Sequence, residues 1–216
     1  ISDATHTVLI DPFLTGNPTA AVTADEVAAD AIIVSHGHDD HLGDTVAISQ
    51  RTGAIVVATF ELGMYCQRTG AAQVHTMNAG GAHDFPWGRV KLVQAIHSSG
   101  AEGGTVYTGN ATGILLTMSG KTVYHSGDTA LFSDMDLIGS YNDIDVALLA
   151  IGDNYTMGVQ DAGIAARMLH AGHVIPMHFD TFDVIQVDAE EFKRDVEAAS
   201  GSLCTILQPG ETLTLQ

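Results

Sequence analysis

Between residues 35 and 41 the chain reads Ser35-His36-Gly37-His38-Asp39-Asp40-His41, which packs three imidazoles and two carboxylates into seven residues. Nitrogen and oxygen donors of this kind suit first-row divalent metals. His36 and His38, two residues apart, can grip one ion, and the Asp40-His41 pair can grip a second. Solvated histidines on a polar loop rarely reach this density and spacing. Two clustered metals need more than four ligands, so further His or Asp residues should recur in similar settings. They do: His97 closes the segment 89–96, Asp128 follows Thr122-Val123-Tyr124, and His178 follows Val174-Ile175-Pro176-Met177. Each repeats one pattern, an apolar strand followed by a ligand-type side chain and a turn.

The elements that must carry these residues are legible from hydrophobic runs and breakers. Strands are expected at 7–10, 31–34, 55–59, 89–97, 145–151 and 173–177. A hairpin is expected from 113–118 and 121–125 across Ser119-Gly120. Helices are expected at about 42–52, 61–69, 159–170 and 189–200, and closing strands at 203–207 and 211–215. The stretch 98–112, rich in Gly, Ser and Thr, reads as a loop. Early hairpins followed by strands alternating with helices imply sheets with helices packed outside. The His-rich segment then lies on a loop leaving a strand end, where α/β proteins usually build their sites.

At 216 residues the chain is expected to form one domain, 1–216, with ample length for a core. No apolar run is long enough for a transmembrane helix. Lys and Arg total 8 against 26 Asp and Glu, a formal charge of −18. Such a surface repels nucleic acid and anionic membranes, so neither is an expected partner. It says little about the substrate, since bound divalent ions reverse the sign locally. The two cysteines, Cys66 and Cys204, read as buried free thiols and are compatible with a reducing cytoplasm, the expected location.

The ordered set His36-x-His38-x-Asp40-His41, His97, Asp128 and His178 resembles the metallo-β-lactamase superfamily. Ile10-Asp11-Pro12-Phe13, Met77-Asn78-Ala79-Gly80-Gly81, Tyr124-His125-Ser126-Gly127-Asp128-Thr129 and Ile175-Pro176-Met177-His178 are similar to its lactonase-like metal-dependent hydrolase branch, related to L-ascorbate-6-phosphate lactonase. The resemblance covers essentially the whole chain. It implies an α/β fold, the four-layer αββα sandwich, with metals at one edge of two facing mixed sheets. Members of this branch usually open with a strand carrying Gly-His-Ser. The sequence begins after that point, so the sandwich is expected to lack the first N-terminal strand.

By the family pattern His36, His38 and His97 hold a first metal, Asp40, His41 and His178 a second, and Asp128 bridges both. The resemblance thus implies two divalent ions per chain, zinc first, with manganese, iron or cobalt also accepted by an all-N/O set. A bridging hydroxide would attack the carbonyl of a lactone or other ester, the expected small-molecule substrate. Asp40 and Asp128 are the expected catalytic carboxylates; Asp40 could orient the nucleophile or take its proton. No Cys stands at a ligand position, unlike one group of true β-lactamases. His38 stands where di-iron oxygen-reducing relatives carry an acid, which favours hydrolysis over redox chemistry. β-Lactam hydrolysis is expected as a side activity at most. Phosphodiester cleavage and metal binding without turnover are the alternatives, the first disfavoured by charge. A homo-oligomer is compatible with the sequence.

Around the ligands, Asp11 is either an acceptor for the free N–H of a ligand histidine or a turn residue capping backbone. His125 either contacts substrate or packs. The segment 152–158 either contacts substrate or caps the next helix. His6, His75, His83, His170 and His173 read as ordinary, and Trp87 as a packed turn aromatic.

Overall fold

The computed structural model describes residues 1–215. Short runs of β-branched and aliphatic residues build a first sheet of four parallel strands, β1 (Val8–Ile10), β2 (Ala31–Ile33), β3 (Ile55–Thr59) and β4 (Gln73–Met77), in that order. After β2 come a single helical turn, α1 (Asp39–Leu42), and α2 (Thr45–Thr52); α3 (Phe60–Thr69) links β3 to β4.

The second sheet begins with β5 (Ala82–Phe85) and β6 (Gly88–Gln94). A two-stranded ribbon, β7 (Gly100–Ala101) and β8 (Val106–Tyr107), intervenes. Then follow β9 (Thr112–Met118), β10 (Lys121–His125), α4 (Met135–Tyr141), β11 (Val146–Ala150), α5 (Val159–Leu169), β12 (His173–Met177), a 3-10 turn (Asp183–Ile185), α6 (Ala189–Ala199) and β13 (Leu203–Cys204). The strand order is β13-β12-β11-β10-β9-β6-β5, parallel from β13 to β10 and antiparallel from β10 to β5.

Alternation along the strands decides the layers. Val8, Ile33 and Val57 of the first sheet meet Val90, Leu92, Ile114 and Leu116 of the second in a core between the sheets. The opposite face of the first sheet (Ile32, Val56, Ala58) buries Ile48, Leu62 and Cys66 of α2 and α3. The outer face of the second sheet (Tyr124, Ala147, Leu149, Val174) buries Ala162, Leu169, Phe192 and Val196 of α5 and α6. Each fully buried Leu, Ile or Phe contributes about 1.5–3 kcal/mol. The result is the four-layer αββα sandwich.

Several boundaries differ from the sequence reading. The helix expected at 42–52 is split: Gly43 takes φ 41°, and a Cβ there would lie 2.8 Å from Phe13 Cα, so the chain breaks where it meets the segment after β1. The strands β4 and β5 and the helix α4 were not anticipated; Gln73–Met77 and Ala82–Phe85 are edge strands whose polar residues blur the period-two signal. The 98–112 loop contains the β7-β8 ribbon. The expected strand at 203–207 shrinks to Leu203–Cys204, and 211–215 is not a strand. Leu207 and Leu213 instead pack on Val123, Val146 and Ile175, covering the inner face of the parallel half of the second sheet.

Candidate metal centre

The C-terminal ends of β1, β2, β6, β10, β11 and β12 open on one edge of the sandwich, and the singled-out residues sit there. His36 follows β2, and the turn α1 carries Asp40 and His41. His97 lies three residues past β6, Asp128 three past β10, and His178 directly after β12. His178 takes φ 56°, a left-handed conformation that costs a non-glycine residue about 1 kcal/mol and turns its ring into the site.

Hydrogen bonds from both sheets hold the His-rich loop. Thr112 at the start of β9 donates through N and Oγ1 to the Ser35 carbonyl, at 3.0 and 3.2 Å. The Gly37 amide donates to Ser99 Oγ at 3.0 Å, and Ser99 pairs with Thr108 at 2.7 Å. A Cβ at Gly37 would overlap the Thr108 side chain, so glycine is required for this close approach. The His97 segment is tied to the Asp128 segment by Ile96 N–H to Thr129 Oγ1 at 3.0 Å and Ala130 N–H to the Ile96 carbonyl at 3.1 Å.

The donor atoms form two triads. His36, His38 and His97 make one, and Asp40, His41 and His178 the other; within each triad the atoms lie within 4.8 Å of one another. His36 Nε2 and His38 Nδ1 are 3.0 Å apart. Asp128 stands between the triads: its Oδ2 is 3.6 Å from His97 Nε2, 3.3 Å from His41 Nε2 and 3.4 Å from His178 Nε2. Asp40 Oδ2 is 3.8 Å from His41 Nε2 and 3.6 Å from His178 Nε2. Tetrahedral ligands about 2.0–2.2 Å from an ion stand roughly 3.3–3.6 Å from one another, so this spacing suits a divalent metal.

The outer atoms of the rings are engaged elsewhere. Asp11 accepts from Ser35 N–H at 2.7 Å, from Ser35 Oγ and from His41 Nδ1 at 2.8 Å. Ser35 Oγ, having given its proton to Asp11, accepts from His36 Nδ1 at 3.0 Å. The network therefore assigns the N–H to Nδ1 of both rings and turns their Nε2 lone pairs inward. Ser98 Oγ lies 3.3 Å from His38 Nε2, leaving Nδ1 to face the triad. Both readings of Asp11 hold: it caps backbone and orients a histidine. Asp11, His36 and His41 also cluster closely, but the hydrogen bonds already occupy the Asp11 oxygens.

Charge and polar satisfaction provide the test of fit. His41 Nε2, Asp128 Oδ1 and His178 Nδ1 are buried without a hydrogen-bond partner, a state native interiors avoid. Among the described residues no Lys or Arg pairs with Asp11, Asp40 or Asp128. Burial and the neighbouring His41 push the His36 pKa down to about 3, so its ring stays neutral and ready to ligate. Burial also lowers His97. Burial opposes a charge on His41 too, yet Asp128 and Asp11 outweigh it and hold its pKa well above the usual value, so its inward Nε2 favours a cation, either a proton or a metal ion that replaces it. Burial would raise Asp40, but His178 and His41 keep it down at about 2. The site is short of positive charge, and a divalent ion supplies it. The residues present fit one.

The family model described as "Beta-lactamase superfamily domain" matches residues 6–179. A UPF0173 metal-dependent hydrolase of Heliobacterium modesticaldum is 50% identical over 100% of this chain and 92% of its own length. Another, from Pelotomaculum thermopropionicum, is 52% identical over 96% of this chain and 92% of its own. The chain belongs to the UPF0173 metal-dependent hydrolases of the beta-lactamase superfamily. Among solved structures, Igni18, a metallo hydrolase from the archaeon Ignicoccus hospitalis, superposes with a TM-score of 0.91 at 35% identity, covering 100% of this chain and 93% of that one.

All seven predicted ligand residues converge on this edge. Sequence reasoning missed their supports Ser35, Ser98, Ser99 and Thr108, whose hydroxyls carry no spacing signal; only the position of Ser35 beside His36 hinted at its role. His125 is buried, its pKa lowered by burial, and its Nδ1 accepts from Gly127 N–H at 3.1 Å. It also lines the cavity beside Asp40. The segment 152–158 makes a tight turn in which Asp153 N–H donates to the Met157 carbonyl at 3.0 Å, and Gly158 leads into α5.

Proposed function

We propose that this chain is a dinuclear metal-dependent hydrolase of lactones or other esters, allied to the lactonase-like branch of its superfamily. The observation that carries this reading is the Asp128 carboxylate oxygen standing 3.3–3.6 Å from imidazoles of both triads, buried and without a cationic side chain. His36, His38 and His97 would hold one ion, zinc before manganese, iron or cobalt. Asp40, His41 and His178 would hold the other, with Asp128 shared. When bound, such a pair lowers the pKa of a shared water to roughly 7 and polarises the carbonyl to be attacked.

The chain's own groups do the rest. Asp11 and Ser35 keep the His36 and His41 lone pairs aimed inward. Asp40, ionised at neutral pH, accepts a hydrogen bond from the attacking water and orients it, or takes its proton. The scissile acyl C–O bond breaks as water adds, leaving an acid and an alcohol. β-Lactams place an amide in this position and are side substrates at most. All 216 residues serve as one hydrolase domain on this reading, and the two buried free thiols suit a reducing compartment. The test is elemental mass spectrometry on protein purified without chelator, paired with lactone and aryl-ester hydrolysis before and after chelation. About two ions per chain with chelator-sensitive turnover is expected; full occupancy without hydrolysis of any ester points to metal binding without turnover.

A further inference from the structure

A cavity of about 200 Å³ opens directly on the second triad, with Asp40, His41 and His178 in its wall. Ile10, Phe13, Met177, Phe182 and Ile185 make up its apolar wall, and Asp11, Asn17, His125 and Thr181 the polar remainder. Phe13 comes from the segment after β1 and Phe182 from the loop after β12, so the two sheets each give one ring to the mouth, with centroids 6.4 Å apart. Phe182 is 40% exposed, so its ring is accessible from solvent at the mouth. Among the described residues no lysine or arginine lines the cavity. Five of the eight cations in the chain are engaged elsewhere: Arg51 with the Ala24 and Val27 carbonyls, Arg89 with Asp84, Lys121 with Asp145, Lys193 with Glu197 and Arg194 with Asp188. The polar Asn17 at the rim is committed to its own loop, donating to the Phe13 carbonyl at 3.1 Å and accepting from Thr19 N–H at 3.0 Å. Away from the triad no side-chain cation matches a phosphate or carboxylate on the substituent, whereas an uncharged hydrocarbon chain gains by leaving water against the apolar side chains.

We infer that this cavity is the specificity pocket for an uncharged, apolar substituent on the substrate, with Phe13 and Phe182 as its selecting residues. The inference rests on the hydrolase reading for its chemistry: water adds across the acyl C–O bond of an alkyl lactone, giving the hydroxy acid. The test compares γ-butyrolactone with γ-nonalactone on the metal-loaded enzyme. Burial of successive methylenes is worth up to roughly fourfold each, so kcat/KM should rise at least about tenfold across the pair. In Phe182→Ala the ratio of the two should shrink severalfold, a comparison that each variant normalises internally. Hydrolysis of both lactones with a flat ratio, an unchanged ratio in the variant, or 6-phosphogluconolactone outpacing γ-nonalactone overturns the inference. A second readout needs no turnover: binding of the carbocyclic ketones 3-pentylcyclopentanone and cyclopentanone, followed by saturation-transfer NMR. If neither lactone is hydrolysed, tenfold tighter binding of the pentyl ketone, weakened in Phe182→Ala, sustains the pocket while the hydrolase reading fails; equal affinities remove the pocket as well.

Discussion

Asp11 carries more of the site than its place outside the two triads suggests. One carboxylate takes the His41 N–H directly and the His36 N–H through Ser35, so it sets a tautomer in each triad. Removing a partner of this kind typically costs ten- to hundredfold in metal affinity or activity. Asp11→Ala is expected to weaken zinc binding by about that factor in competition with a chromogenic chelator. Asp11→Asn, which keeps an acceptor but loses the charge, should fall between it and the wild type. Equal affinity in all three proteins would remove Asp11 from the metal site. The thiols behave in the opposite sense. Burial pushes the Cys66 pKa up to about 12 and that of Cys204 up to about 11. At pH 8 the thiolate is scarce at both, by roughly three to four orders of magnitude. A disulfide dye should therefore titrate essentially no thiol in the native protein and two per chain after denaturation; rapid native reaction would contradict the packing of α3 or β13.

The elements were legible in the sequence where local and tertiary signals agree. The stretch 55–58 alternates little and is apolar throughout, as a strand covered on both faces must be, and β3 spans it and ends at Thr59. The ligand loop was legible because five of its seven residues are donors. The second layer was not: serine and threonine hydroxyls gain their meaning only when β9 and the 98–111 segment fold back over the loop. Edge strands escaped for a related reason, since His75, His83 and Asp84 interrupt the apolar residues and the period-two pattern dissolves. Gly37 shows how element packing governs the site. Its Cα faces Thr108 so closely that any Cβ overlaps that side chain, and the loop cannot yield without moving His36 and His38. Gly37→Ala is expected to lower activity at least tenfold and to reduce metal content measured after dialysis. Thr108→Gly placed in the same chain, by clearing the space, should return part of both. Failure of the second change to restore anything would mean that the loop is held by other contacts.

At the scale of the whole molecule the candidate metal centre is a clasp between two sheets. His36, Asp40 and His41 leave the first sheet, whereas His97, Asp128 and His178 leave the second. Ions held by both would add a tie between layers that otherwise meet through the core between them and the hydrogen bonds that Thr112 and Ser99 make to the His-rich loop. In a chain carrying −18 formal charge, three of the site's carboxylates crowd around one imidazole, so removing cations leaves repulsion at the very edge that closes the sandwich. Any ligand that binds the native state alone stabilises it by mass action, about 2.7 kcal/mol at a hundredfold excess over Kd. For a chain of this size each kcal/mol moves Tm by roughly 2–4 °C. Chelation should thus lower Tm by about 5–10 °C, and re-addition of zinc should restore it with a stoichiometry of about two. The decisive contrast is with Asp128→Asn, which weakens the one group placed between both triads. Its melting point should respond little to chelator, and if it responds as fully as the wild type, the two triads bind independently and Asp128 does not couple them.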